Sequence, residues 1–150
     1  MSKLFQAFLT GLFFTSIFDF LILLGLKLNY MDEYKLFIYY NEFFADNQNI
    51  YIFWSVVFLL GYVIIYLDNN TLSATLVSIL LFVSILPFFK PIGNTLGSIL
   101  FMHKNVSYND SKYTYTGDTY YRARESLYFY DYELQRIILL DTTTLKDFKQ

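Results

Sequence analysis

The stretch FFTSIFDFLILLGLK, residues 13–27, decides the fold class of this chain, because it forms the centre of an unusually long apolar run. The run covers residues 4–26 and would measure about 34 Å as an α-helix at about 1.5 Å per residue. That length fits a bilayer hydrocarbon core of about 30 Å with a slight tilt. Lys3 precedes the run as in a signal peptide, but no small-residue cleavage site follows it, so we expect a retained transmembrane helix.

Composition supports a membrane class and excludes several chemistries. Of the 150 residues, 55% are hydrophobic and 22% are aromatic, both high for a soluble domain of this size. The absence of cysteine excludes disulfides, thiolate metal ligands and cysteine nucleophiles. A net charge of −2 gives no basic field of the kind that binds nucleic acid, so we expect no nucleic-acid partner.

Two further uncharged runs, 50–67 and 72–89, predict two more transmembrane helices. The polar turn at 68–71 is so short that we expect these helices to lie side by side as an antiparallel hairpin. Asn49 is the expected N-cap of the first of them. Aromatic residues at helical spacing predict a short interfacial helix over 34–44. A juxtamembrane helix is expected over 92–103, where Gly93 and Gly97 are spaced to allow a close helix approach. The predicted membrane region is therefore 1–103.

Residues 104–150 change to a two-residue alternation rich in Tyr and Thr, which predicts a small extramembrane β module. We expect four strands in an antiparallel meander, curled into a barrel-like shape and closed by the tail LKDFK at 145–149. Turns are expected at 116–118, 124–126 and 131–135. The expected strands are 112–116, 119–124, 127–131 and 136–141.

Basic residues near the span ends predict the orientation. Lys3 is alone on the side of the N-terminus, whereas Lys27, Lys35, Lys90 and Lys104 lie on the side of the β module. The positive-inside rule therefore favours an N-out, C-in topology with a cytoplasmic β module. The margin is small, and the inverted topology stays open.

Asp19 is the one charged residue inside the predicted spans. A mid-span carboxylate costs about 2.5–3.5 kcal/mol on insertion scales, so we expect it to avoid lipid. Gly11, Thr15 and Asp19 are four residues apart and Ser16 lies three before Asp19, which predicts a small, polar helix-packing face. We expect a protonated Asp19 that bonds across this face, and a proton or cation site is the alternative.

Catalytic and cofactor sites are not expected. An intramembrane aspartyl protease needs two facing carboxylates, and the spans hold only Asp19. His103 is the only histidine, so a His-based metal site or catalytic triad would lack its other members. Gly93 and Gly97 lack the Lys-Ser/Thr that follows a phosphate-binding loop. We expect no catalytic residue, no metal and no cofactor.

A row of tyrosine and arginine residues in the β module is a predicted partner surface. Alternation places Tyr128, Tyr130 and Tyr132 on one sheet face, and Arg122 and Arg124 in the preceding strand are placed to stack on them. Tyr and Arg are frequent anchors of protein interfaces. The same tyrosines would equally fill the face of a small sheet, with the ring buried and the hydroxyl in water.

These patterns predict a small non-enzymatic integral membrane protein of a bacterial inner membrane. Its expected role is that of an accessory, assembly or scaffold subunit of a larger membrane complex. Its expected partners are the lipid bilayer and either other membrane subunits or a second copy of the chain. Two other functions stay open: a proton- or cation-conducting subunit that uses Asp19, and an immunity-type membrane protein against a pore-forming toxin.

Overall fold

The structure is a computed structural model that describes residues 2–67, 69–110, 113–143 and 145. It contains five α-helices followed by one four-stranded antiparallel sheet. The elements are α1 (Lys3–Leu26), a π-helical turn (Lys27–Met31), α2 (Tyr40–Asn47), α3 (Ile50–Tyr66), α4 (Asn70–Ile85), a 3-10 turn (Leu86–Phe88), α5 (Lys90–Phe101), β1 (His103–Asn109), β2 (Thr114–Arg122), β3 (Ser126–Asp131) and β4 (Arg136–Asp141).

Two helical segments, Lys3–Met31 and Asn70–Phe88, are each long and apolar enough to cross a membrane. α2 and α3 pass the same test only together, and their axes are bent by 79°. The described residues therefore offer two candidate spans, or three if the bent pair counts as one.

α1 begins at a side-chain cap and continues without a break into the π-helical turn. The hydroxyl of Ser2 accepts the N–H of Phe5, which satisfies one of the free donors of the first turn. The predicted start and end of this helix, 4–26, agree with the structure to within one residue.

The helix α2 differs from the one predicted over 34–44, because it begins at Tyr40 and not at 34. The chain leaves the π-helical turn through Lys35, whose φ of 56° cannot belong to a right-handed helix. The N–H of Leu36 then donates to the Met31 carbonyl, and the chain runs extended to Tyr39. The predicted N-cap is confirmed: Oδ1 of Asn49 accepts the N–H groups of Tyr51 and Ile52.

α3 packs antiparallel against α1 through two glycine notches. A Cβ added to Gly11 would lie 2.0 Å from the Val57 carbonyl oxygen, and one added to Gly61 would lie 2.1 Å from the Ala7 carbonyl oxygen. Without side chains at these positions, the two backbones approach as closely as small-residue contacts in lipid permit.

The expectation that the last two helices pack as a hairpin is wrong for the described residues. α3 and α4 both pack on α1 and hardly touch each other. α4 lies along α1. The 3-10 turn that follows α4 contacts the C-terminal end of α1, where Gly25 lies against Pro87. Gly11 and Gly61 explain the difference, because they let α3 approach α1 more closely than it approaches α4, its neighbour in sequence. Asp68, in the connecting turn, lies outside the described residues.

α5 (Lys90–Phe101) is a helix where one was predicted over 92–103, and both of its glycines lie at close contacts, as predicted. A Cβ on Gly93 would lie 2.2 Å from the Pro87 carbonyl oxygen. A Cβ on Gly97 would lie 2.3 Å from Cγ of Tyr30. Both positions therefore require glycine for close packing against the end of α1 and the turn before α5.

The sheet confirms the predicted antiparallel meander, with strand order β1-β2-β3-β4. Two details were predicted incorrectly. The single strand β2 (Thr114–Arg122) covers most of the two expected strands 112–116 and 119–124, and β1 (His103–Asn109) lies where no strand was predicted. Gly117, the expected turn residue, pairs with both Val106 and Asp131 in mid-strand. Its glycine serves close packing, because a Cβ there would lie 1.9 Å from the Tyr130 carbonyl oxygen.

The two faces of the sheet bury different clusters. One face packs on the helices, where Tyr121 joins Tyr30, Phe43 and other core residues in one continuous cluster. The other face buries Leu127 and Phe129 together with Leu145 of the tail. No pairing closes the sheet within the described residues, since β1 and β4 are its two edges, so the four strands do not form the expected barrel. The rest of the predicted closing tail, 146–149, lies outside those residues.

Candidate functional site

Asp19 lies at the break between α2 and α3. Gln48, the residue that ends α2, donates its side-chain amide to Oδ2 of Asp19 over 2.7 Å. Asp19 is half-buried and Gln48 is exposed. Among the described residues, Asp19 takes part in none of the three ion pairs. The carboxyl group is therefore held by a neutral partner at a bend in the chain.

The four residues of the predicted packing face do not form one site. Gly11 and Thr15 are buried, and Gly11 contacts α3 directly. Asp19 meets the α2–α3 break and not the body of a helix. Ser16 is exposed and points away from this contact. Small-residue spacing alone could not show which of these positions the chain's own α3 would cover.

The hydroxyl of Thr15 is a buried polar group without a partner. Thr15 is 4% exposed, and its Oγ1 is the one buried side-chain nitrogen or oxygen among the described residues that makes no hydrogen bond. An unsatisfied hydroxyl of this kind costs about 1–3 kcal/mol.

The side of α1 that faces away from α3 carries an uncovered, shallow groove of about 760 Å³, which we call the α1 stripe. All of its lining residues come from α1, at the spacing of three and four that keeps residues on one helix face. Ser16 is the one polar member of this set. The α1 stripe consists of Leu9, Leu12, Phe13, Ser16, Ile17, Phe20 and Leu21.

The arginines of the predicted partner surface are separated from its tyrosines. Arg122 pairs with Leu127, and so belongs to the sheet face opposite Tyr128. Nε of Arg124 lies 2.5 Å from Oδ1 of Asp46 in α2, so this side chain binds the helical region. Neither arginine is placed to stack on the tyrosine row.

The three tyrosines of this surface differ in how much they are covered by the rest of the chain. The hydroxyl of Tyr128 donates to the Phe37 carbonyl over 2.9 Å. Tyr130 is half-buried, with its ring 6.1 Å from that of Tyr120. Tyr132 is exposed, and its hydroxyl donates to Asp118. Of the predicted surface, Tyr132 and both arginines are exposed, whereas Tyr128 and Tyr130 are half-buried.

A set of aromatic contacts that the sequence did not reveal joins the sheet to the helices. The Tyr30 hydroxyl donates to the Tyr120 carbonyl over 2.8 Å, and the rings of Tyr34 and Tyr120 stack with their centroids 4.5 Å apart. Asn47 donates to the Tyr121 hydroxyl over 2.8 Å. Burial raises the pKa of Tyr121 to about 12, since it disfavours the phenolate. The sequence signal for these contacts is the aromatic content of residues 30–44, but an aromatic belt at a membrane interface would have the same composition.

No group of three or more metal-ligating side chains occurs in the part of the chain that the structure describes. His103 is exposed at the start of β1. An open cleft of about 440 Å³ lies between α2 and the β2–β3 turn, lined in part by Glu42, Asp46 and Glu125, with Arg124 bound to Asp46.

Comparisons with known proteins do not assign a function. No family model matches the chain, and neither the curated proteins nor the solved structures include a significant match.

Proposed function

We propose that this protein is a non-enzymatic accessory, assembly or scaffold subunit of a larger membrane complex, which it joins through the α1 stripe. The observation that carries the proposal is that α1 has two different faces. One face contacts α3 through Gly11, and the other is an uncovered apolar row with Ser16 near its centre.

Little of the candidate spans is buried within the chain itself. Only 28% of the most apolar window of Lys3–Met31 is buried, and only 11% of that of Asn70–Phe88. Phe13 is 61% exposed and Phe20 is 52% exposed. Large side chains flanking a small residue form a groove that accepts a ridge of another helix, and packing of this kind drives helix association in lipid.

The sheet is fixed to the helices and would move with them as one unit. Hydrogen bonds reach it from Tyr30 and Asn47, and Arg124 joins it to Asp46 of α2. A rigid link suits a subunit that holds one component in the bilayer and a second one at the surface. Tyr132, which is exposed, is the residue we assign to the second contact.

The location we propose is a bacterial inner membrane, crossed several times, with the sheet in the cytoplasm. The side of the membrane that carries the sheet also carries Lys27, Lys35, Lys90 and Lys104. An excess of Lys near the span ends favours the cytoplasmic side. A C-terminal reporter that is active only in the periplasm tests this, and a positive signal would reverse the orientation.

The test of the proposal uses the absence of cysteine from the chain. Ser16→Cys introduces a unique thiol in the α1 stripe, and Ser78→Cys introduces one at an exposed position of α4. Each is labelled with a benzophenone maleimide in native membranes and irradiated. We expect a discrete adduct with one membrane protein, or with a second copy, from position 16 and not from position 78. Equal, diffuse labelling of lipid from both positions would overturn the proposal.

A second candidate, a proton- or cation-conducting subunit, is favoured by the bond between Asp19 and Gln48. Breaks in transmembrane helices are frequent locations of ion sites, because backbone groups become free there. Asp19→Asn separates the two functions. A scaffold should keep its partner adduct and the activity of the complex, whereas a conducting subunit should keep the adduct and lose proton or cation flux.

A further inference from the structure

Three exposed aromatic side chains and one half-buried one, Phe44, form a row beside α1, and we call them the aromatic apron: Phe37, Tyr39, Tyr40 and Phe44. Phe37 is 90% exposed and Tyr39 is 74% exposed, while Leu36 and Ile38, which alternate with them, are buried. The extended segment before α2 therefore turns its largest rings outward. An exposed apolar patch of this size marks a surface that contacts something other than water.

α2 is oriented to lie along a membrane surface. Its axis is bent by 79° from that of α3. If α3 stands near the bilayer normal, α2 lies close to the bilayer plane. Phe43 is buried in the core, Phe44 is half-buried beside it, and Tyr40 is exposed, as in an interfacial amphipathic helix.

The apron is continuous with the apolar surface of the first candidate span, at the end of the α1 stripe. The rings of Phe20 in α1 and Phe44 in α2 stack with their centroids 5.5 Å apart. Phe20, Leu24, Tyr40 and Phe44 line one groove of about 450 Å³. The apolar surface of α1 thus runs without interruption onto α2, and the same leaflet that surrounds α1 would reach the apron.

The edge of the sheet reaches the same region. Phe37 and Leu139 of β4 line a common groove of about 620 Å³, and Leu139 is 60% exposed. The Tyr128 hydroxyl holds the Phe37 carbonyl, which fixes the spacing between sheet and apron.

We infer that the aromatic apron and Leu139 insert at the headgroup level of the leaflet that borders the sheet. The sheet then rests on the bilayer surface and is not suspended in water. Phe and Tyr fit this occupant, because aromatic rings concentrate at the membrane–water interface. The inference does not depend on the proposed partner complex.

Spin labelling of the full chain tests the depth of these positions. Single cysteines replace Phe37 and Leu139, and nitroxide-labelled protein is reconstituted into vesicles of phosphatidylcholine and phosphatidylglycerol. The references are Phe58→Cys, on an exposed face of α3, and Tyr113→Cys, 66% exposed and roughly 25 Å along β2 from Tyr121 at about 3.3 Å per residue.

We expect labels at 37 and 139 to collide several-fold more with oxygen, relative to a water-soluble nickel chelate, than the label at 113. The label at 58 should lie deeper than both. Because Phe37 and Leu139 are so exposed, their replacement removes little packing, and circular dichroism checks the fold. Labels at 37 and 139 that are as accessible to nickel as the label at 113 would overturn the inference. Protection seen only in native membranes would assign the surface to a protein partner and would also overturn it.

Discussion

The side-chain amide of Gln48 donates a hydrogen bond of 2.7 Å to Oδ2 of Asp19, and this bond ties α1 to the break between α2 and α3. The two residues are 29 positions apart in the chain. The polar residue that interrupts the first apolar run thus meets a polar residue that lies just before the second. Asp19 is explained by the bend beside it, without a second acid or base.

Removing this bond should cost a modest amount of stability. Asp19→Leu and Gln48→Leu should each lower the free energy of unfolding, and the coupling between them should be about 0.6 kcal/mol, with about 1.7 as an upper bound, as for other hydrogen bonds in membranes. Asp19→Asn should cost less, because its carbonyl still accepts from Gln48. A double-mutant cycle in mixed detergent micelles measures the coupling, and strictly additive losses would show that the two side chains do not interact.

Replacing either notch glycine should force α1 and α3 apart. Gly11→Ala and Gly61→Ala place a Cβ within 2.0 and 2.1 Å of carbonyl oxygens, so the helices must shift. We expect a loss of about 1–3 kcal/mol for each, typical of overpacking. Unfolding of each variant in detergent measures it, with Ser78→Ala on an exposed face of α4 as the control. Wild-type stability of both glycine variants would contradict the close contact.

Local patterns predicted the elements where one residue decides the outcome. Asn49 was predicted correctly as the N-cap of α3, because a short polar side chain just before an apolar run is typical of that position. Gly93 and Gly97 were predicted correctly as residues of a close contact. The turn predicted at Gly117 was wrong, because glycine is common both in turns and at close contacts between strands. The contact with the Tyr130 carbonyl, which shows that the second case applies, is not visible in the sequence.

The candidate site was harder to predict, because it depends on which helices touch. The spacing of Gly11 and Thr15 predicts a packing face but not its occupant, and α3 fills it from within the chain. The docking of Tyr121 against Phe43 joins residues far apart in the sequence, and hydrophobic periodicity holds no information on such pairs.

Thr15→Val should stabilise the protein. Valine has nearly the shape of threonine, and the replacement removes a buried hydroxyl that has no partner among the described residues. We expect a gain of up to about 1–3 kcal/mol, the desolvation cost of an unsatisfied group. Thr75→Val, at an exposed position of α4, is the matched control and should change little. A clear loss of stability in Thr15→Val would mean that the hydroxyl is satisfied.

Removing Asp32 should cost more than removing its partner. Lys27 is buried at the end of α1, where its ammonium binds Asp32 and lies 5.1 Å from the centroid of the Tyr40 ring. Asp32→Asn leaves a buried cation without its counter-charge, whereas Lys27→Met keeps the packing and removes the charge. We expect a loss of about 1–3 kcal/mol for Asp32→Asn, reduced by the partial exposure of Asp32, and a smaller one for Lys27→Met. The reverse order in chemical unfolding would contradict burial of Lys27.

Alkaline pH should weaken the attachment of the sheet to the helices. Burial raises the pKa of Tyr121 from 10.0 to about 12, so the unfolded chain releases this proton first. Its contribution to stability is complete below pH 10 and is lost as the pH rises towards about 12. Tyr121→Phe should start about 0.5–1.5 kcal/mol lower, through loss of the bond from Asn47, and then fall less steeply with pH. Unfolding midpoints of wild type, Tyr121→Phe and the exposed control Tyr113→Phe measure these slopes, and a Tyr121→Phe slope as steep as that of wild type would show that Tyr121 is not the titrating group.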